Sequence, residues 1–208
     1  MTAPNAAALD RFNICLPFVL AQECPDPQDW SNPANYSNNQ NDPGGQTFCG
    51  ITARELDQWR LAHDEPIIDV RQLEQAEGYE IYLTDYWQPT CPLMPPGLDL
   101  CLFDTNVNQG TGAGMRILQV ALAVPVDGIW GPITQAAVIA ISSVTATIEK
   151  FTARREVVYQ QTRNFAYFGT DWMRRAEEIG AAAERAGVIQ VKALAMHRKF
   201  MASKEQER

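Results

Sequence analysis

Phe18-Val19-Leu20-Ala21-Gln22-Glu23-Cys24-Pro25 and Asn41-Asp42-Pro43-Gly44-Gly45-Gln46-Thr47-Phe48-Cys49-Gly50-Ile51-Thr52 are the two passages on which the reading of this chain turns. The first is a greasy segment closed by one glutamate. Leu9, Phe12, Leu16, Val19 and Leu20 recur at helical spacing, which predicts a helix with one apolar face. Glu23 follows Leu20 by three residues and Val19 by four, so it belongs to that inward side. Cys24 precedes a proline and is pushed out of the α region, so the helix is expected to stop at or near Glu23. Pro17 either kinks this helix or sits in the first turn of a shorter one. At a helix C-terminus the macrodipole disfavours a negative charge, and partial burial disfavours it again. Those are the conditions under which a glutamate serves as a general acid near neutral pH. A surface glutamate at a frayed helix end is the plainer alternative.

The second passage reads as the wall of a cleft facing that glutamate. Asp42-Pro43-Gly44-Gly45 is a strong turn signal, because its glycines permit backbone shapes that other residues cannot hold. Thr52-Ala53-Arg54-Glu55 is a capping box, so a helix is expected to begin there and to carry Leu56 and Trp59 inward. Residues 25–45 between the two passages are rich in Pro, Asn, Asp and Ser and have no period. Such a segment reads as a long ordered loop of the kind that usually has a functional reason. Trp30 and Tyr36 stand on it, suited to stacking on a sugar ring and equally suited to pinning the loop to the core.

The rest of the chain is helical in pattern. A helical region is expected from Asp69 to about Trp87, broken at Gly78, followed by a Pro-rich crossing from Pro89 to Pro96. Gly97-Leu98-Asp99 opens a helix with Leu98, Cys101, Leu102 and Phe103 apolar, ending near Gly110. Next come a short helix holding Met115, Ile117, Leu118, Ala121 and Leu122, and a helix from Pro132 to about Val144. Two more are expected over 147–163 and 170–203, the last interrupted at Gly187, with a charged tail after it. Asp99 and Asp104 read as helix-terminal or buried carboxylates. The expected class is mainly α, with one short β-hairpin near the Gly-rich loop.

At 208 residues the chain is long enough for one sizeable domain, and 46% hydrophobic with 20% charged residues is an ordinary globular composition. A net charge of -8 argues against a nucleic-acid partner. No run of 18 or more apolar residues offers a transmembrane helix, and the first ten residues have no basic region of a signal peptide. Five cysteines form no CxxC pair and only two histidines are present, so no metal site and no cofactor are expected. Cys24 and Cys49 could be joined. The favoured reading takes all five cysteines as buried free thiols of a cytosolic protein.

Taken in order, the motifs resemble a known family. After the helix ending in Glu23 come Asp42-Pro43-Gly44-Gly45-x-Thr47 and Gly50-Ile51-Thr52, then Tyr86-Trp87-x-Pro89 and Pro96-Gly97-Leu98-Asp99. Phe103-Asp104, Asn106-x-Asn108-x-Gly110, Leu118-Gln119-x-x-Leu122 and Asp127-Gly128-Ile129-Trp130-Gly131-Pro132-x-Thr134 follow, with Phe168-Gly169-x-x-Trp172-x-x-Arg175 near the end. The set, spanning about Phe12 to Trp172, resembles the glycoside hydrolase family 108 lysozymes, the phage and prophage N-acetylmuramidases. The family carries Glu-Gly-Gly-Tyr at its catalytic position. Here Glu23 is kept and Cys24-Pro25-Asp26 replaces the rest, so contacts of the family's tyrosine do not carry over.

The resemblance implies a lysozyme-like compact helical domain and a muramidase cutting the β-1,4 bond between N-acetylmuramic acid and N-acetylglucosamine. Residues 9–105 would form the catalytic part, 106–203 a peptidoglycan-binding-like helical part packed on it, and 204–208 a frayed tail. Glu23 would be the general acid, with Asp42 and Thr47 as candidates for positioning water on the opposite face of the sugar. Asp42 alternatively caps the turn that follows it. Trp30, Tyr36, Gly45, Gln46 and Asn108 are the candidate substrate contacts. Peptidoglycan glycan strands are the expected partner of a monomer that waits in the host cytoplasm for release or rides on a virion. No nucleic acid, membrane, metal or cofactor is expected. A catalytically inactive wall-binding or virion structural protein with the same fold is the competing reading.

Overall fold

Helix α4 (Leu98–Gln109) is the axis about which the chain packs, and every residue from Leu98 to Asn106 is buried. A helix covered on all sides belongs in the middle of a structure. In the computed structural model, which describes residues 6–38 and 45–206 and the side chains of 9–38 and 45–186, four helices surround it. They are α1 (Ala6–Glu23), α5 (Thr111–Ala121), α7 (Val144–Gln160) and α8 (Phe165–Gln206). Phe12, Cys15, Leu16, Val19 and Leu20 form the buried stripe of α1, the face the spacing predicts. Pro17 lies inside α1 on its exposed side, and the helix continues past it to end at Glu23.

A small antiparallel sheet stands at the end of α1. Its strands are β1 (Tyr36–Asn38), β2 (Gln46–Phe48) and β3 (Ile51–Thr52), in the order β1-β2-β3. Phe48 pairs with Ile51 and Thr47 with Thr52, so Cys49 and Gly50 alone make the turn. Both have positive φ, 44° and 76°, the pattern of the primed hairpin turn that follows a sheet's natural twist. The capping box is present: Thr52 Oγ1 accepts from Glu55 N, and Glu55 Oε2 accepts from Thr52 N, opening α2 (Ala53–Ala62).

The helical region expected over 69–87, with a break at Gly78, is three pieces. A 3-10 turn at Val70–Gln72 precedes α3 (Gln75–Ile81), which passes into a π-helical segment at Tyr82–Trp87. Gly78 does not break α3. The Trp30 ring rests directly on it, where a Cβ would collide. The π segment brings Tyr82, Tyr86 and Trp87 all into the interior, which tighter helical winding would spread around the axis.

Helix α6 (Pro132–Ile139) starts at its proline as expected but ends sooner than Val144, where α7 begins. Helix α8 starts at Phe165, before the expected Thr170, and continues through Gly187 to Gln206. The boundary expected between residues 105 and 106 falls inside α4. Among the described residues, no helix is long and apolar enough to cross a membrane.

Candidate active site

Glu23 is the last residue of α1, and its side chain is 16% exposed. Two features hold it. The first is the turn at Gly50: a Cβ there would lie 2.6 Å from Glu23 Oε2 and 2.9 Å from Glu23 Cβ. Gly50 is therefore required twice, once by its positive φ and once by the carboxylate resting on it. The second is a disulfide between Cys24 and Cys49 that ties the helix end to this same turn. The favoured reading of five free thiols is corrected at this pair. Cys15, Cys91 and Cys101 are free and buried, and burial first of all pushes each thiol above its ordinary range. Cys24, the residue after the glutamate, thus puts a covalent brace beside it.

An ion-pair chain comes from the other side. Arg175 Nη1 on α8 lies 2.6 Å from Glu23 Oε1. Oε1 is buried, and the contact is ionic, its angle falling outside hydrogen-bond geometry. Arg175 also forks onto Asp104 of α4, with Nε 3.1 Å from both carboxylate oxygens and Nη2 2.8 Å from Oδ1. Arg155 of α7 places Nη1 2.6 Å from Asp104 Oδ2. Burial works against the charge of Arg175, but Asp104 and Glu23 outweigh it, so its pKa is raised. Burial likewise opposes the charge of Asp104, and the two guanidiniums hold its pKa below the ordinary value. Two carboxylates and two guanidiniums therefore run from the core to Glu23.

Beneath the turn lie two phenols. Tyr82 donates to the Cys49 carbonyl at 2.7 Å, its ring centroid 5.9 Å from that of Tyr86, and Tyr86 donates to Glu55 Oε1 at 2.7 Å. Arg175, Gly50, Tyr82, Tyr86 and Glu55 were not among the candidates read from sequence. One signal was available for Arg175: it begins an otherwise apolar stripe of α8 with Ala176, Ile179, Ala182 and Ala183, where a charge needs a partner.

The remaining candidates scatter. Thr47 is half-buried in β2 beside this site, while Asp42 lies outside the described residues. Trp30 is corrected from sugar contact to loop anchor, being buried against Phe48, Tyr79 and Gly78. Asn35 locks the same loop, its amide donating to the carbonyls of Asp26 and Asp29 and its Oδ1 accepting from Asp26 N. Tyr36 is half-buried, with the Arg71 guanidinium 5.6 Å from its ring centroid. Asn108 Oδ1 accepts from Tyr159 at 2.6 Å, which makes it a link between α4 and α7. Gly45 is half-buried and Gln46 exposed at the rim of β2. Asp99 is structural: it takes a forked ion pair from Arg11 and accepts from Gly97 N and Leu100 N at the start of α4.

The sequence profile of the glycosyl hydrolase 108 family matches residues 26–110. Over that stretch the chain is similar to the family. The likeness is to a family of glycoside hydrolases. The matched stretch holds the sheet, the Gly50 turn, Glu55, Tyr86 and Asp104, and begins just after Glu23. SagA of Brucella abortus is similar in structure, with a TM-score of 0.73 and 24% identity, over 86% of this chain and 97% of that one. That likeness establishes the fold and extends it well past residue 110. No curated protein matches the chain.

Gly50→Ala is expected to cost about 1–2 kcal/mol from the left-handed backbone alone. By displacing the Glu23 carboxylate it is expected to slow peptidoglycan clearing about 100-fold. Unfolding in urea and the clearing of a purified-sacculus suspension measure the two effects. Wild-type clearing by a folded Gly50→Ala protein would show that the contact with Glu23 is immaterial.

Proposed function

We propose that the protein is a muramidase in which Glu23 is the general acid. Cleavage of the β-1,4 bond between N-acetylmuramic acid and N-acetylglucosamine requires a proton on the leaving oxygen and relief of charge on an oxocarbenium-like sugar. Glu23 gives the proton. Thr47 serves the opposite face of the sugar, where a carboxylate must take the proton of the attacking water. The observation that carries this reading is the site itself: one partly exposed glutamate, at a helix end, clamped by a disulfide-braced turn and a buried arginine.

Arg175 is a positioning residue in this scheme. It fixes Oε1, so the carboxylate cannot rotate away from Gly50, and its charge offsets the cost of the carboxylate formed once the proton has left. The helices after residue 105 then have two duties, supplying Arg155 and Arg175 and contributing wall contacts around Trp130. The ordered motifs, which resemble those of phage and prophage enzymes, support a lysin released to the wall or carried on a virion. The resting ion pair favours a second reading, a wall-binding protein without turnover. The two are separated by digesting purified peptidoglycan and analysing the soluble fragments by mass spectrometry. Muropeptides with muramic acid at the reducing end are expected; intact glycan that only retains the protein would overturn the enzyme.

A further inference from the structure

Glu55 is the carboxylate that the described structure adds to the Glu23 site. Thr47 and Thr52 stand directly opposite each other on β2 and β3, so their side chains share one face of the sheet. They flank the pair next to a two-residue turn, and Thr52 N donates to Glu55 Oε2 at 2.9 Å. The carboxylate of Glu55 therefore sits at the end of β3, on the residue paired with Thr47. Its other oxygen is held by Tyr86 at 2.7 Å, and Tyr86 contacts Tyr82, which bonds the turn that carries Glu23. Glu23 and Glu55 thus lie at the two ends of one short bridge running through the Cys49-Gly50 turn and two phenols.

A capping box alone does not explain the bridge. Box geometry uses one oxygen of Glu55 and leaves the second free to face solvent. Here the second is held by the buried phenol of Tyr86, whose ring packs on Tyr82, the phenol bonded to the glutamate's turn. Burial first, and then Glu55, keeps the Tyr86 phenol protonated and donating. The arrangement fixes the direction of the Glu55 lone pairs.

Resting on the muramidase reading, we propose that Glu55 is the general base that holds the attacking water with Thr47, and that Tyr86 positions it. Water attacks the anomeric carbon while its proton passes to Glu55, forming the new C–O bond. The glycosidic C–O bond breaks, and Glu23 gives its proton to the departing oxygen. Glu55 ends protonated and Glu23 ionised, and proton exchange with solvent resets both. A single displacement of this kind inverts the β linkage to an α product.

The test uses the full chain, with Glu55→Gln, Tyr86→Phe and Glu23→Gln assayed on soluble glycan chains from peptidoglycan. Glutamine preserves the capping box, so Glu55→Gln is expected to melt close to wild type. Its kcat is expected to fall about 100-fold with KM little changed, and Tyr86→Phe to lose about tenfold in kcat, the worth of one hydrogen bond of about 1.4 kcal/mol. The first-formed reducing end should be the α anomer by NMR. Full kcat in Glu55→Gln beside an inactive Glu23→Gln, or a β product, would overturn the role of Glu55 and leave the muramidase standing. Full activity in both would overturn the muramidase mechanism itself. If Glu55→Gln does not fold, an undiminished kcat in Tyr86→Phe overturns the proposal.

Discussion

Asp104→Ala is expected to destabilise the protein by about 3–5 kcal/mol, the cost of leaving a buried ion network without one partner. Asp104 is fully buried and is the one carboxylate that both Arg155 and Arg175 touch. Their side chains are 2% and 7% exposed, so neither can turn to water when Asp104 is gone. Arg175 would keep Glu23, whereas Arg155 would keep its contacts to Gln109 and the Tyr159 ring but no carboxylate among the described residues. Urea unfolding of wild type and variant measures the difference. A loss below about 1 kcal/mol, the range of surface ion pairs, would show that this network does not hold the helices together.

The pH dependence follows from the same group. Asp104 has its pKa lowered in the folded protein, burial opposing and the two arginines prevailing. A lowered folded-state pKa means that the unfolded chain takes up the proton first. The stability Asp104 contributes is therefore fully present above the ordinary aspartate value of about 3.9 and is lost as pH falls through its native pKa. Acid unfolding of wild type should show that loss, and Asp104→Ala should lack this part of it.

Much of the frame is legible in the residues because it is local. The apolar stripe of α1, its stop at Glu23 before Pro25, and the capping box from Thr52 to Glu55 each depend on neighbours within a few positions. Helix α4 reads from its dense apolar run and its glycines at both ends. What could not be read is long-range. Arg175 meets Glu23 and Asp104 only because α8 folds back across α4. Trp30 has the composition of a loop tip, yet a glycine in α3 makes a seat for its ring. Cys24 and Cys49 carry no spacing signal for a bridge; the hairpin that brings them together is set by pairing of β2 with β3. The π segment at Tyr82–Trp87 has the same apolar pattern as a helix, and its wider turn shows only when Tyr82 and Trp87, five positions apart, are both found inside.

The site therefore joins a local element that sequence specifies to a distant one that only the fold supplies. Glu23 comes from the first, Arg175 and its partners from the second. Such a division explains why a chain with Cys24-Pro25-Asp26 in place of two glycines and a tyrosine keeps the glutamate in place. The covalent brace and the buried arginine chain constrain it from opposite sides.

The most direct measurement is the clearing of purified peptidoglycan by wild type and by Glu23→Gln at equal concentration. The substitution keeps the shape of the side chain and removes the proton donor, so the fold should persist, with Arg175 still held by Asp104. Clearing is expected to fall by about 100- to 10,000-fold, the range of a general acid's contribution. The variant should still sediment with sacculi, because binding does not need the proton. Equal clearing by both proteins would contradict the assignment of Glu23 as the acid.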